Sequence, residues 1–187
     1  MKKIILLMCI LFITAGLVFT QENAAIRAII HHYSARNFLS GAVNQADLDR
    51  IIQAAVNTPS ARNQQPWHFT VVQNASLARR IISNVTDGNV LFVISAAGED
   101  GKVRSDFVLD CALAAQTVYL AAQALGLGSR IYTGPVNDVN KDLKSALSLP
   151  RGHSVVVIVR IGKVPPIDAV TAASARNKPE SMVTYKK

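Results

Sequence analysis

Two stretches, residues 89–96 (NVLFVISA) and 154–161 (SVVVIVRI), are apolar at nearly every position and lack the alternation of a half-solvated strand. A strand of that kind has to be buried on both faces, so each predicts a central strand with helices above and below it. Between them, residues 107–125 form a long apolar run carrying Ala112, Ala114, Ala115, Ala121, Ala122 and Ala124. Small side chains let another helix approach closely, so this segment is expected to be a central helix or a subunit interface. Gly126 and Gly128 are expected to end it, and residues 129–133 to form a strand running into Gly134-Pro135.

The remaining elements follow the same pattern. Residues 44–56 predict a helix capped by Asn44, with Leu48, Ile51, Ile52 and Ala55 as its buried stripe. Residues 23–33, 76–85 and 138–147 also read as helices. Residues 67–73 read as a strand, 98–102 as a turn, and 182–185 as a short β-prone end. Helices and strands alternate around one sheet, which gives an α/β or α+β class. The 187 residues, half of them hydrophobic, suffice for one core rather than two.

The N-terminus has the zones of an export signal: Lys2-Lys3, an apolar run over 4–19, then polar Gln21-Glu22-Asn23. The run is shorter than the roughly 20 residues of a spanning helix. Residues 1–20 are therefore expected to be a secretory signal and 21–187 the mature domain. The expected location is exported, periplasmic or extracellular, in a bacterium, with no stable membrane association after cleavage. An uncleaved N-terminal anchor is the alternative. Cleavage would remove Cys9 and leave Cys111 alone, so no intramolecular disulfide could form. His31, His32, His68 and His153 lack the spacing of a zinc site, and no metal ligand is expected. Removal of Lys2 and Lys3 lowers the formal charge from +8 to +6. The basic residues are scattered without aromatic interleaving, which argues against a nucleic-acid surface and suits a buried anionic ligand better.

The segment Pro59-Ser60-Ala61-Arg62-Asn63-Gln64-Gln65-Pro66-Trp67 holds hydroxyl, amide and guanidinium groups between two prolines. Such a loop is preorganised and can read the edge of a planar heterocycle. It can equally be a connection that satisfies its own turns. In His32-Tyr33-Ser34-Ala35-Arg36, Ser34 and Arg36 are of the type that binds phosphate, or they mark a solvated helix exit. Asp106 and Asp110 lie four apart, as a carboxylate pair or as charges near a helix start. Gly126-Leu127-Gly128 follows a helix and precedes a strand, the reverse of a dinucleotide fingerprint.

In this order the motifs resemble the FMN-dependent nitroreductase family. His32-x-Ser34-x-Arg36-x-Phe38 is similar to its basic-x-Ser-x-Arg-x-Phe signature, with His32 where Arg is usual. Residues 59–67 match its Pro-Ser-x-x-Asn-x-Gln-Pro-Trp run completely. The helix ending Ala-Leu-Gly-Leu-Gly at 124–128 and the late strand ending Ile161-Gly162 also match. The resemblance runs from about residue 25 to 183. It implies an α+β fold with a central mixed sheet flanked by helices, an intertwined homodimer, and two FMN sites at its interface. His32, Ser34 and Arg36 would serve the FMN phosphate, with Arg176 or Lys178 reaching it from the tail. Pro59, Ser60, Ala61 and Asn63 would line the flavin and ribityl chain. Thr133 and Gly134 would approach flavin N5, and Asp110 would face the ring.

The activity implied is two-electron transfer to small acceptors such as nitroaromatics or quinones, from NAD(P)H, with no catalytic residue from the protein itself. An exported flavin-binding protein with little turnover, or related chemistry such as reductive dehalogenation, is the alternative. Two features stand apart from the family pattern. The turn between the 89–96 strand and the 107–125 helix leaves no room for a covering helical insertion. An exported protein would also not meet NAD(P)H.

Overall fold

The computed structural model describes residues 23–166 and 176–186. The proposed signal lies outside them. The chain divides at His31–His32 into two units. The first contains helix α1 (Ala24–Ile30), capped by Asn23, whose Oδ1 accepts from the Ala25 N–H at 2.9 Å. The helix stops at Ile30 rather than reaching Tyr33.

The second unit is built on a sheet of β1 (Trp67–Val72), β2 (Val90–Glu99), β3 (Lys102–Val103), β4 (Gly128–Tyr132) and β5 (His153–Gly162). The order is β1-β2-β5-β4, and β3 folds back on the end of β2 through Asp100-Gly101. Every pairing among the described residues is antiparallel. The α+β class stands, but the sheet described here is antiparallel and not mixed. A sequence pattern shows that β2 and β5 are buried, not which way their neighbours run.

Four helices cover the sheet: α2 (Gln45–Val56), α3 (Ala75–Ile81), α4 (Ser105–Ala124) and α5 (Val136–Asp142). On one face α2 and α4 pack over Phe92, Ile94, Val157, Val159 and Ile161. On the other, α3 and α5 pack over Leu91, Val93, Val155 and Ile158. Successive β2 residues thus enter opposite cores, which is why the sequence shows no alternation. Each such side chain contributes about 1.5–3 kcal/mol on full burial.

Asn44 caps α2 as expected, its Oδ1 accepting from the Asp47 N–H at 2.7 Å. Leu48, Ile51 and Ala55 are buried beneath that helix. α4 is long and apolar enough to cross a membrane by length and composition. Here its apolarity serves the core, through Cys111, Ala114, Ala115, Val118 and Ala122. Gly126 closes it in a left-handed conformation (φ 77°). Gly128 does not: it opens β4, where a Cβ would lie 2.1 Å from Val164 Cγ1 and 3.0 Å from Ala35 Cβ. The 182–185 end is not a strand; a single 3-10 turn, Pro179–Ser181, precedes it.

Candidate functional site

Residues 32–36 form a strap fixed to the C-terminal end of α4 and to β4. The Gln123 amide holds Tyr33 from both sides: Oε1 accepts from the Tyr33 N–H (3.0 Å) and Nε2 donates to the Tyr33 carbonyl (2.7 Å). Gln123 Nε2 also donates to Ser129 Oγ, which donates to the Tyr119 carbonyl. The Ala35 N–H donates to the Ser129 carbonyl at 2.9 Å, and the Ala35 side chain is buried. With Ala35 turned inward, its neighbours Ser34 and Arg36 are exposed. Among the described residues neither side chain has a hydrogen-bond partner.

Beyond the strap, Leu39 is held by backbone pairing to Lys163 and by Asn89 Nδ2 donating to its carbonyl at 3.2 Å. Arg160, buried, supports Asn89 at 2.8 Å, reaches Asn84 and Thr86, and lies over the Phe38 ring at 4.1 Å. His32 packs against Tyr119, and Arg176 lies within electrostatic reach of it. The His32 ring stands edge-on to it at 5.6 Å, and the Arg176 charge acts on its hydroxyl. Burial nevertheless raises the Tyr119 pKa above the ordinary phenol value. The structure thus brings the tail arginine to the strap region, while Lys178 only precedes the 3-10 turn.

The 58–66 loop is fixed elsewhere on α4. The buried Thr58 donates through Oγ1 to Thr117 Oγ1 at 3.0 Å. The Ala61 N–H donates to Asp110 Oδ1 at 3.1 Å. Ser60 Oγ accepts from the Gln65 N–H at 2.9 Å, and Gln65 Nε2 donates to Asn63 Oδ1 at 3.1 Å. Arg62 (φ 53°), Asn63 (φ 55°) and Gln65 (φ 46°) all occupy the left-handed region. Non-glycine residues there cost of order 1–3 kcal/mol each and persist only where surrounding contacts impose them. Pro59, Ala61 and Asn63 present exposed surfaces; Ser60 is half-buried.

Asp110 is only 2% exposed, and its Oδ2 has no hydrogen-bond partner among the described residues. Asp106 does not pair with it. Arg104 claims Asp106, with Nε donating to Oδ1 at 3.1 Å, and this bond holds the Asp106 carboxyl below its usual pKa. Cys111, beside Asp110, is fully buried. Burial, reinforced by the Asp110 charge, pushes its thiol up to about 12.

Thr133 and Gly134 follow β4 and are exposed, with open space where a Gly134 Cβ would stand. The three pieces are not gathered in one place within the chain. Asp110 and Gln123, which anchor the loop and the strap, lie about 20 Å apart along α4. Thr133-Gly134 lies at the opposite end of β4 from Ala35 and Ser129. Gln123 and Tyr119 were not singled out from the sequence. The only signal available was one amide and one phenol among the small and aliphatic residues of the helix's last turns.

The family model described as "Nitroreductase family" matches residues 29–90 and 83–163. A protein of Archaeoglobus fulgidus named "Putative NADH dehydrogenase/NAD(P)H nitroreductase" is 31% identical over 146 residues, covering 73% of this chain and 83% of the relative. A solved nitroreductase with bound FMN from Desulfitobacterium hafniense superposes with a TM-score of 0.74 at 20% identity, over 89% of this chain and 100% of that one. Another with bound FMN, from Bacteroides fragilis, gives 0.70 at 21% identity over 88% and 100%. At such identities the structures establish the fold.

Proposed function

The chain belongs to the nitroreductase family, and from that premise we propose that it is an FMN-dependent oxidoreductase acting on small acceptors such as nitroaromatics or quinones. The observation that carries this reading is the 58–66 turn, held against its own backbone preference by a buried carboxylate. A loop that only connects two elements has no need of three left-handed non-glycine residues.

The residues present fit the cofactor. Asp110 Oδ2 is a buried acceptor with no donor among the described residues, Asn63 and Ser60 offer amide and hydroxyl groups on the loop that Asp110 anchors, and Gly134 leaves space for a flat ring. Ser34 and Arg36 offer a hydroxyl and a bidentate guanidinium for the phosphate, with His32 adding an imidazole and Arg176 and Lys178 adding positive charge. FMN, when bound, supplies two-electron transfer between a donor and an acceptor. The chain's own contribution is to bind and orient. Pro59, Ser60, Ala61 and Asn63 would hold the ring and ribityl chain, and the backbone of Thr133-Gly134 would lie by N5. The β2-β3 hairpin passes to α4 through Arg104 alone, so little covers the pocket and acceptor selectivity should be broad.

Two copies are needed. The strap and the loop sit too far apart on α4 to serve one flavin from one chain, which supports sites shared between protomers. α4 also presents Val108 (41% exposed), Leu109 (62%) and Leu113 (42%) along one side. The exposed Ala112 among them would let a second helix approach closely. A homodimer closed by these helices would bring the strap of one chain toward the loop of the other.

The apolar 4–19 run behind Lys2-Lys3 supports export, with cleavage near residue 20. Electrons would come from NAD(P)H were the chain retained in the cell, and from a different two-electron donor once it is exported. Anaerobic turnover of the FMN-loaded protein with NADH or NADPH and a quinone tests the proposal. Donor-dependent quinone reduction supports it. Retained flavin without turnover by any two-electron donor would leave a flavin-binding protein, and a folded protein that takes up no flavin would overturn it.

A further inference from the structure

Far apart in sequence, His68 on β1 and His153 at the start of β5 meet on the face of the sheet covered by α3 and α5. His68 pairs in register with Ser95 of β2, and Ala97 of β2 with His153. Thr70 and Val72 fix the facing of β1: Thr70 Oγ1 donates to the Leu147 carbonyl, and Val72 lies in the core beneath α3. By the two-residue period of the strand, His68 projects to that same side. The two imidazoles have ring centres 6.0 Å apart and planes at 86°.

We propose that His68 and His153 form a two-histidine site for a divalent transition ion of the zinc, copper or nickel type, which clips β1 to β5 across β2. Imidazole suits these ions, whereas calcium and magnesium prefer all-oxygen ligand sets. Two imidazoles on one tetrahedral ion, at about 2.0–2.1 Å per metal–nitrogen bond, hold their ring centres about 5 Å apart. Rotation of the exposed His68 side chain closes the remaining gap.

The second observation concerns Ser95. Its side chain is fully buried, and its Oγ lies 3.3 Å from His153 Nδ1. Engaging Nδ1 fixes the ring and leaves Nε2 for an ion, the orienting role that partners outside the ligand set play at metal sites. Lys144, which lines the same cavity as His153, is tied to the His153 carbonyl (3.1 Å) and to Ser154 Oγ (2.9 Å), not to a ring nitrogen. Among the described residues no group of three or more His, Cys, Asp or Glu could hold a metal. The ion would therefore keep water in its other positions and exchange readily. The site is independent of the flavin reading, since neither histidine belongs to the strap or the loop.

The test is calorimetric titration of the tag-free, chelator-treated protein with ZnCl2, paired with thermal unfolding in the same buffer. One ion per chain is expected, with a saturable rise in Tm. His68→Gln, at an exposed position, should weaken binding about tenfold or more, and Ser95→Ala should weaken it by about tenfold through the ring it orients. His153→Gln should act like His68→Gln. Absence of saturable binding would overturn the proposal. So would binding that persists unchanged in His68→Gln, which would place the ion elsewhere on the chain.

Discussion

Replacing Asp110 by Ala separates the stability of the fold from the organisation of one loop. The substitution removes the hydrogen bond from the Ala61 N–H to Oδ1. Such a bond to a charged group contributes about 1.5–3 kcal/mol. It also removes Oδ2, a buried oxygen with no partner among the described residues. Leaving such a group unsatisfied costs about 1–3 kcal/mol or more in the native state. The two effects oppose each other at the level of global stability, so Tm should move by only a few degrees.

They do not oppose each other in the loop. Arg62, Asn63 and Gln65 are held in left-handed conformations. Without the Ala61 anchor the turn should relax. Losing about 2 kcal/mol of preorganisation corresponds to about a thirtyfold weaker FMN affinity. Hydrogen exchange read on a peptide spanning 58–66, with a fluorescence titration of FMN, measures both consequences. Faster exchange confined to that peptide, with weaker FMN binding and a nearly constant Tm, is expected. Asp110→Asn keeps an acceptor and places an NH2 where the orphan oxygen was, so it should restore most of the protection. Unchanged exchange in 58–66 for Asp110→Ala would refute the anchoring role, as would a Tm collapse that accounts for the lost affinity.

Arg36→Ala should weaken FMN more than riboflavin, because its role is assigned to the phosphate; equal losses in parallel titrations would remove that role. Cys111 should resist iodoacetamide at pH 8 in the folded protein, since burial and Asp110 hold its thiol near 12. Its raised pKa also sets an alkaline limit. This contribution to stability is complete below the ordinary thiol value of 9.0 and is lost as the pH rises from there toward about 12. Cys111→Ala should flatten that decline in pH-dependent unfolding. Leu113→Glu puts a charge on the exposed side of α4 without entering the core, so light scattering should report monomers while circular dichroism stays unchanged.

The covered sheet was legible because residues 90–94 of β2 and 155–159 of β5 each pack into one core or the other, which writes a nearly unbroken apolar run. Asn44 was legible because a cap acts over three residues. The 59–67 motif was legible as a pattern, but its backbone strain and its attachment to Asp110 were not. Asp110 looked equally like half of a carboxylate pair until Arg104 was seen to take Asp106. Gly128 reads as a helix stop by position, yet Val164 and Ala35, remote in sequence, are what require a glycine there. The sheet's direction of pairing and the meeting of His68 with His153 both depend on β2 lying between β1 and β5, and no local pattern encodes strand order. Gln123 is the same kind of case, since its clamp closes on Tyr33, ninety residues earlier.

The most direct test of the account is an absorbance spectrum of the purified mature protein, from residue 21 onward, after incubation with FMN and desalting. Retained oxidised-flavin bands at about one per chain, as expected of a formed site, are predicted. A folded protein that emerges colourless would contradict the flavin assignment and reduce the family motifs to scaffold.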